Sequence, residues 1–213
     1  MEKLELVLWD WNGTLLDDVA LSVRCLNELL GDFGYPQRYS VARYREIFGF
    51  PIEDYYTRAG FDFQKDSFDE LAKGYMRHYI PESVVCGLTP GARETLDWFA
   101  EGGVRQVVLS ASPIDTLRRQ VAERNLSGFF TELLGLGDIY AKSKVQLGLD
   151  WMREADIAPA RAVMIGDSVH DAEVAAALGV RCILCAAGHQ GRAALEATGC
   201  PVADTLAGIP ALV

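Results

Sequence analysis

Asp10, Ser110, Asp167, Asp171 and a lysine stand at positions in this chain where side chains can do chemistry. Asp10 ends the apolar run of residues 4–9, Ser110 ends a second run, VRQVVLS, and Asp167 ends a third, RAVMIGD. Asp171 lies four residues further on in GDSVHD, at the start of an expected helix, where it can support a ligand or a lysine. Two carboxylates facing one crevice repel each other unless a cation neutralises them. Their hard oxygens suit Mg²⁺, which keeps several waters and bridges to phosphate oxygens. Carboxylate, metal, hydroxyl and lysine together suit phosphoryl transfer, where catalysis is mostly positioning and charge stabilisation. Lys142 and Lys144 are the lysines placed to complete the set. Lys144 is preferred, because Ser143 as the N-cap of KVQLGLDWMREAD would set it in the first helical turn.

These groups meet only if their strands end on one edge of a sheet. The short apolar runs read as strands buried on both faces of a parallel sheet. Ligands bind beyond the carboxyl ends of such strands. From residue 88 onward, strands alternate with helices of about 10–13 residues, which implies parallel strands with right-handed crossovers. Five strands are expected: residues 4–9, 104–110, ELLGL, RAVMIGD and RCILCA. Between residues 17 and 83 only helical patterns occur. Asp17-Asp18 opens the first, Ser40 caps the second, Gly49-Phe50-Pro51 breaks it, and Pro81 stops the last. The expected architecture is a doubly wound α/β core, residues 1–16 and 84–213, with an inserted α-helical cap, residues 17–83.

The 213 residues carry a formal net charge of −10 and no basic run, which argues against a nucleic-acid partner. A small phosphorylated substrate remains compatible, since a local site can be positive inside an acidic protein. No apolar run reaches the ~18 residues needed to span a bilayer. The N-terminus lacks a signal-peptide pattern, so a cytoplasmic location is expected. Five scattered cysteines give no disulfide framework. Cys182 and Cys185 form a C-x-x-C, but strand alternation sends their thiols to opposite faces, poor geometry for a shared metal.

DWNGT at the first strand end, the hydrophobic strand ending in Ser110, a lysine before a helix, and GDSVHD resemble the four motifs of the haloacid dehalogenase superfamily. The match covers the whole chain in order and spacing. It looks most like the phosphoglycolate phosphatase-like and β-phosphoglucomutase-like members, which have a Rossmann-like core and a helical cap after the first strand. The resemblance implies that Asp10 is a nucleophile forming an aspartyl-phosphate. It implies that Asp10 and Asp167 hold Mg²⁺ through side chains, and Asn12 through its backbone carbonyl. Gly13, Thr14, Ser110, Ala111 and Lys144 would bind the phosphoryl oxygens, with Lys144 offsetting charge. Asp171 would orient that lysine or a metal-bound water.

One position departs from the pattern. Family phosphatases usually carry Asp two residues after the nucleophile, as general acid and then base, and this chain has Asn12. An amide does not exchange a proton near neutral pH, and such catalysis is typically worth ~10²–10⁴-fold. The expected function is a Mg²⁺-dependent phosphatase of a small phosphorylated metabolite, slowed by Asn12 or served by another proton donor such as His170 or a cap residue. The alternative is a phosphoryl-ligand binder or regulator without turnover. A phosphonatase-like C–P hydrolase ranks lower, because Lys65 and Lys73, the cap's lysines, sit in nothing that lowers a lysine pKa. His78 and His189 have no partner in a metal-ligand spacing. Tyr55, Tyr56, Tyr75 and Tyr79 fit helix packing, and Arg43, Arg45 and Arg58 a solvated surface. Gly49-Phe50-Pro51 is a candidate cap loop facing the crevice. The chain itself is expected to be a monomer or a homodimer.

Overall fold

A computed structural model of the chain describes residues 3–137 and 144–213. Six parallel strands form one sheet: β1 (Leu6–Trp9), β2 (Arg105–Pro113), β3 (Glu132–Leu136), β4 (Ala162–Gly166), β5 (Arg181–Cys185) and β6 (Val202–Ala203). Their order is β3-β2-β1-β4-β5-β6. The chain builds outward from β1 to one side, then returns and builds to the other. β1 is therefore the switch point at which a crevice opens.

All four residues of β1 are fully buried, which explains an apolar run without alternation. Val7 and Trp9 join Val108, Val163 and Ile165 in one core, while Leu6 and Leu8 join Val107, Leu109 and Met164 in the other. Five helices lie between β1 and β2, and the first four are α1 (Val19–Asp32), α2 (Val41–Ile47), α3 (Ile52–Ala59) and α4 (Phe68–Ser83). They pack around their own apolar cluster, which includes Leu26, Leu29, Tyr44, Tyr55, Tyr56 and Leu71. Helices α5 (Ala92–Glu101) and α6 (Ile114–Glu123) cover the first core of the sheet, and α7 (Lys144–Glu154) and α8 (Val169–Leu178) the second. A short α9 (Arg192–Glu196) and a 3₁₀ helix, Leu206–Ala211, close the chain. Cys182 and Cys185 belong to opposite cores, as alternation requires. No helix among the described residues is long and apolar enough to cross a membrane.

Several local expectations change. β2 runs three residues past Ser110, and its register with β3 shifts between Leu109 and Pro113. Pro113 is thus both the last residue of β2 and the N-cap of α6, a place where a missing N–H costs no ladder bond. Helix α4 continues through Pro81 to Ser83. Pro81 lies in the last turn, so only one intrahelical bond is lost there. β6 has two residues, too few to carry a strand pattern.

Candidate active site

Asp10 is the residue immediately after β1, and its N–H donates to the carbonyl of Ile165 on β4 at 2.8 Å. That bond fixes it at the C-terminal edge of the sheet. The following loop folds back into the core, with Trp11, Leu15 and Leu16 fully buried and the Trp11 indole donating to Gln120 Oε1 at 2.7 Å. Gly13 turns with φ of +73°. A side chain there would bring Cβ to 2.4 Å from Asp167 Oδ2, so only glycine permits this approach. Asp167 follows β4 directly and accepts from the Thr14 hydroxyl at 3.0 Å and from the His189 N–H at 2.6 Å.

Lys144, the first residue of α7, is 3% exposed and donates to Asp10 Oδ1 at 2.5 Å and Asp171 Oδ1 at 2.6 Å. The other Asp171 oxygen accepts from the N–H groups of Asp167 and Ser168 and from the Ser168 hydroxyl. Asp171 thereby caps α8 and aims the lysine. Lys142 and Ser143 lie outside the described residues.

One carboxylate oxygen each from Asp10, Asp167 and Asp171 falls within 4.8 Å of the others. Burial pushes the Asp10 carboxyl up to about 8; Asp171 and Asp167 add to the rise and Lys144 opposes it. Burial likewise raises Asp167, to about 6. Lys144 is held above its ordinary range, because Asp10 and Asp171 outweigh its burial. Buried hard oxygens that resist ionisation on their own suit a divalent cation such as Mg²⁺. Asp10 and Asp167 could hold it through side-chain oxygens, whereas Lys144, two backbone N–H groups and the Ser168 hydroxyl engage both oxygens of Asp171.

Asn12 is a hub. Its Nδ2 donates to Asp18 Oδ2 at 2.9 Å and to the Tyr79 hydroxyl at 2.6 Å, and its Oδ1 accepts from the Ser112 hydroxyl at 2.6 Å. Asp18 makes no helix-capping bond. It accepts instead from Gly13 N–H, Tyr79 and His189 Nε2, the last at 3.1 Å. The second His189 nitrogen meets the Tyr44 hydroxyl at 2.8 Å. Burial works to depress His189, but Asp18, with Asp167 and Asp10, outweighs it and raises the imidazole to about 9. Asp18 is lowered; burial opposes this, and the charge and hydrogen bond of His189 prevail.

A pH dependence follows. A histidine whose pKa is raised on folding stabilises fully below its unfolded value, ~6.5, and that stability is lost as pH rises through about 9. Wild type minus His189→Gln, compared by urea unfolding without divalent ions, should shrink by on the order of 2 kcal/mol between pH 6 and pH 9. A difference that stays constant over that range would contradict the His189–Asp18 pairing.

Ser110 is buried, and its Oγ accepts from the Ser112 N–H, while Ala111 and Ser112 line the cavity above the carboxylates. His170 bonds Glu173 and stacks on Phe50 at 4.5 Å. Arg45 spans from the cap to the carbonyls of Ala187 and Gly188, and Arg58 donates to the carbonyl of Ile47. Arg43 pairs with Glu46. Lys65 bonds the Phe33 carbonyl and Lys73 bonds Asp69, both on the surface. Phe50 lines the cavity, as a crevice-facing loop would. Asp18, Tyr79, Ser112 and His189 carry no motif. The one sign for His189 is its place after β5, on the same sheet edge.

The fold and this edge define a capped, doubly wound α/β protein with an acid–lysine site at the switch point. The haloacid dehalogenase-like hydrolase model matches residues 7–185, and the chain belongs to that family. It is 27% identical over 220 residues to a phosphoglycolate phosphatase of Pseudomonas savastanoi pv. phaseolicola, covering 95% of this chain and 77% of that one. A haloacid dehalogenase-like family hydrolase from Streptococcus pneumoniae superposes with a TM-score of 0.84 at 19% identity, covering 99% of each chain. Protein Tyrosine Kinase A of Mycobacterium tuberculosis superposes at 0.83 with 26% identity, over 100% of this chain and 99% of that one.

Proposed function

We propose that the protein is a Mg²⁺-dependent phosphatase of a small phosphorylated metabolite, working through an aspartyl-phosphate on Asp10. The observation that carries this is the Lys144 ammonium clamped between Asp10 and Asp171 at the switch point, with Asp167 beside them. Lys144 holds one Asp10 oxygen and leaves the other to attack phosphorus. The P–O ester bond then breaks, and water later cleaves the acyl phosphate to release inorganic phosphate. A bound Mg²⁺ would neutralise charge on the phosphoryl oxygens. Asn12 gives the leaving oxygen no proton, so that oxygen departs as the alkoxide and is protonated by solvent.

Phosphate release from an aryl phosphate, with and without Mg²⁺, tests the reading. Release that needs both Mg²⁺ and Asp10 supports it. Tight phosphate-ester binding without release would favour the alternative, a phosphoryl-ligand binder or regulator.

Restoring the acid is not a single substitution. Asn12→Asp would remove the donor to Asp18 and set two carboxylates about one hydrogen bond apart. The single variant should therefore gain no activity and lose stability. The exchange Asn12→Asp with Asp18→Asn keeps the bond with its roles reversed. It should raise kcat on poor leaving groups by ~10–10²-fold, within the range of general acid catalysis. Equal rates in the single variant and the exchange would refute this account of the Asn12 hub.

A further inference from the structure

We infer that the ligand of this site is the phosphate monoester of an uncharged, aromatic alcohol, a phenolic phosphate, and not a carboxylate-bearing ester; the inference rests on the phosphatase reading. The cavity over Asp10, Asp167 and Lys144 extends into the cap and has a volume of about 160 Å³. A cavity of ~150 Å³ is enough to hold a benzene ring. Its cap wall includes Phe48, Phe50, Tyr55, Phe68, Tyr75 and Met76. Ring edges and faces of this kind favour an aromatic guest.

The charges point the same way. Among the described residues, the cations that line the cavity are Lys144 and His189, both at its floor and both already bonded to carboxylates. No arginine or lysine of the cap lines it. Arg45 and Arg58 are bound to backbone carbonyls, and Arg24 and Arg43 to glutamates. A carboxylate on the substrate would enter an apolar chamber facing Asp10, Asp18, Asp167 and Asp171 with no cation of its own among the described residues, and unpaired buried charge is strongly disfavoured. A phosphoglycolate-like ester has such a group.

A further observation refines the class. Asn12, with no proton to give, selects for a leaving group that departs unprotonated, and a phenol with pKa ~10 does so far better than an aliphatic alcohol.

The test uses the Mg²⁺-loaded protein and two phosphonates that are not hydrolysed. Titration calorimetry should find phenylphosphonate binding at least 10-fold tighter than 3-phosphonopropionate, the carbon analogue of phosphoglycolate. Equal or reversed affinities overturn the inference, whether or not the protein turns anything over. Phosphate release, measured alongside, should favour phenyl phosphate over phosphoglycolate by at least 100-fold in kcat/KM. If neither ester is cleaved while the binding preference holds, the phosphatase reading fails and the ligand class stands. Met76→Arg, which supplies the missing cation, should narrow the binding preference at least 10-fold.

Discussion

Asp10→Asn is expected to lower phosphate release by about 10⁴-fold or more, the scale on which nucleophile removal acts, without destabilising the metal-free protein. The loss of activity follows from the amide's inability to attack phosphorus. The stability result follows from the folded environment of the carboxylate. Burial, with Asp171 and Asp167 adding to it, raises the Asp10 pKa to about 8 against the pull of Lys144. A carboxyl whose pKa is raised on folding binds its proton more tightly in the native state, so stability falls as pH rises from ~4 through about 8. An uncharged amide escapes that cost and still offers Lys144 an acceptor oxygen. Thermal unfolding in a chelator should therefore give Asp10→Asn a Tm equal to or above wild type, with the gap widening from pH 6 to pH 9. Added Mg²⁺ should raise the wild-type Tm more than the variant's, because the variant has one fewer carboxylate to hold the ion. Activity near wild type, or a large drop in chelated stability, would make Asp10 a structural residue.

Lys144→Met is expected to act with the opposite sign on stability, at a cost of about 3–5 kcal/mol in the metal-free protein. The side chain has almost no solvent exposure and carries two short charge-assisted bonds. Removing it leaves Asp10 and Asp171 buried together without their cation. Phosphate release should also fall by ~10²–10³-fold, the effect of losing one pre-placed electrostatic donor. Urea unfolding in chelator checks the first figure. The double variant with Asp10→Asn should cost less than Lys144→Met alone, since the substitution removes one of the stranded charges. Additive effects would show that the two side chains do not interact in the folded protein. Mg²⁺ should recover part of the lost stability by standing in for the ammonium.

The hydrolase family and the capped α/β fold were legible from short-range features. An apolar run that stops at a carboxylate reads as a strand end whatever lies elsewhere in the chain, and residues 4–10 and 162–167 both do this. Helical periodicity over residues 19–30 and the Ser40 cap are likewise local, since capping involves atoms three residues apart. Boundaries were less legible. Pro81 stays helical and β2 outruns Ser110, because packing decides the last turn of a helix and the last rungs of a strand.

The chain's own order of residues determined that Asp10, Asp167, Asp171 and Lys144 would lie near one sheet edge, because parallel strands deliver their C-terminal ends to the same side. What the order could not determine is what Asn12 does. Its amide is bound by Ser112, a hundred residues away, and by Asp18 and Tyr79 of the cap. His189 meets Asp18 across 171 residues of sequence. Such contacts depend on how the cap seats on the loop after β5, a packing of two surfaces with no sequence period, and only the tertiary structure decides it.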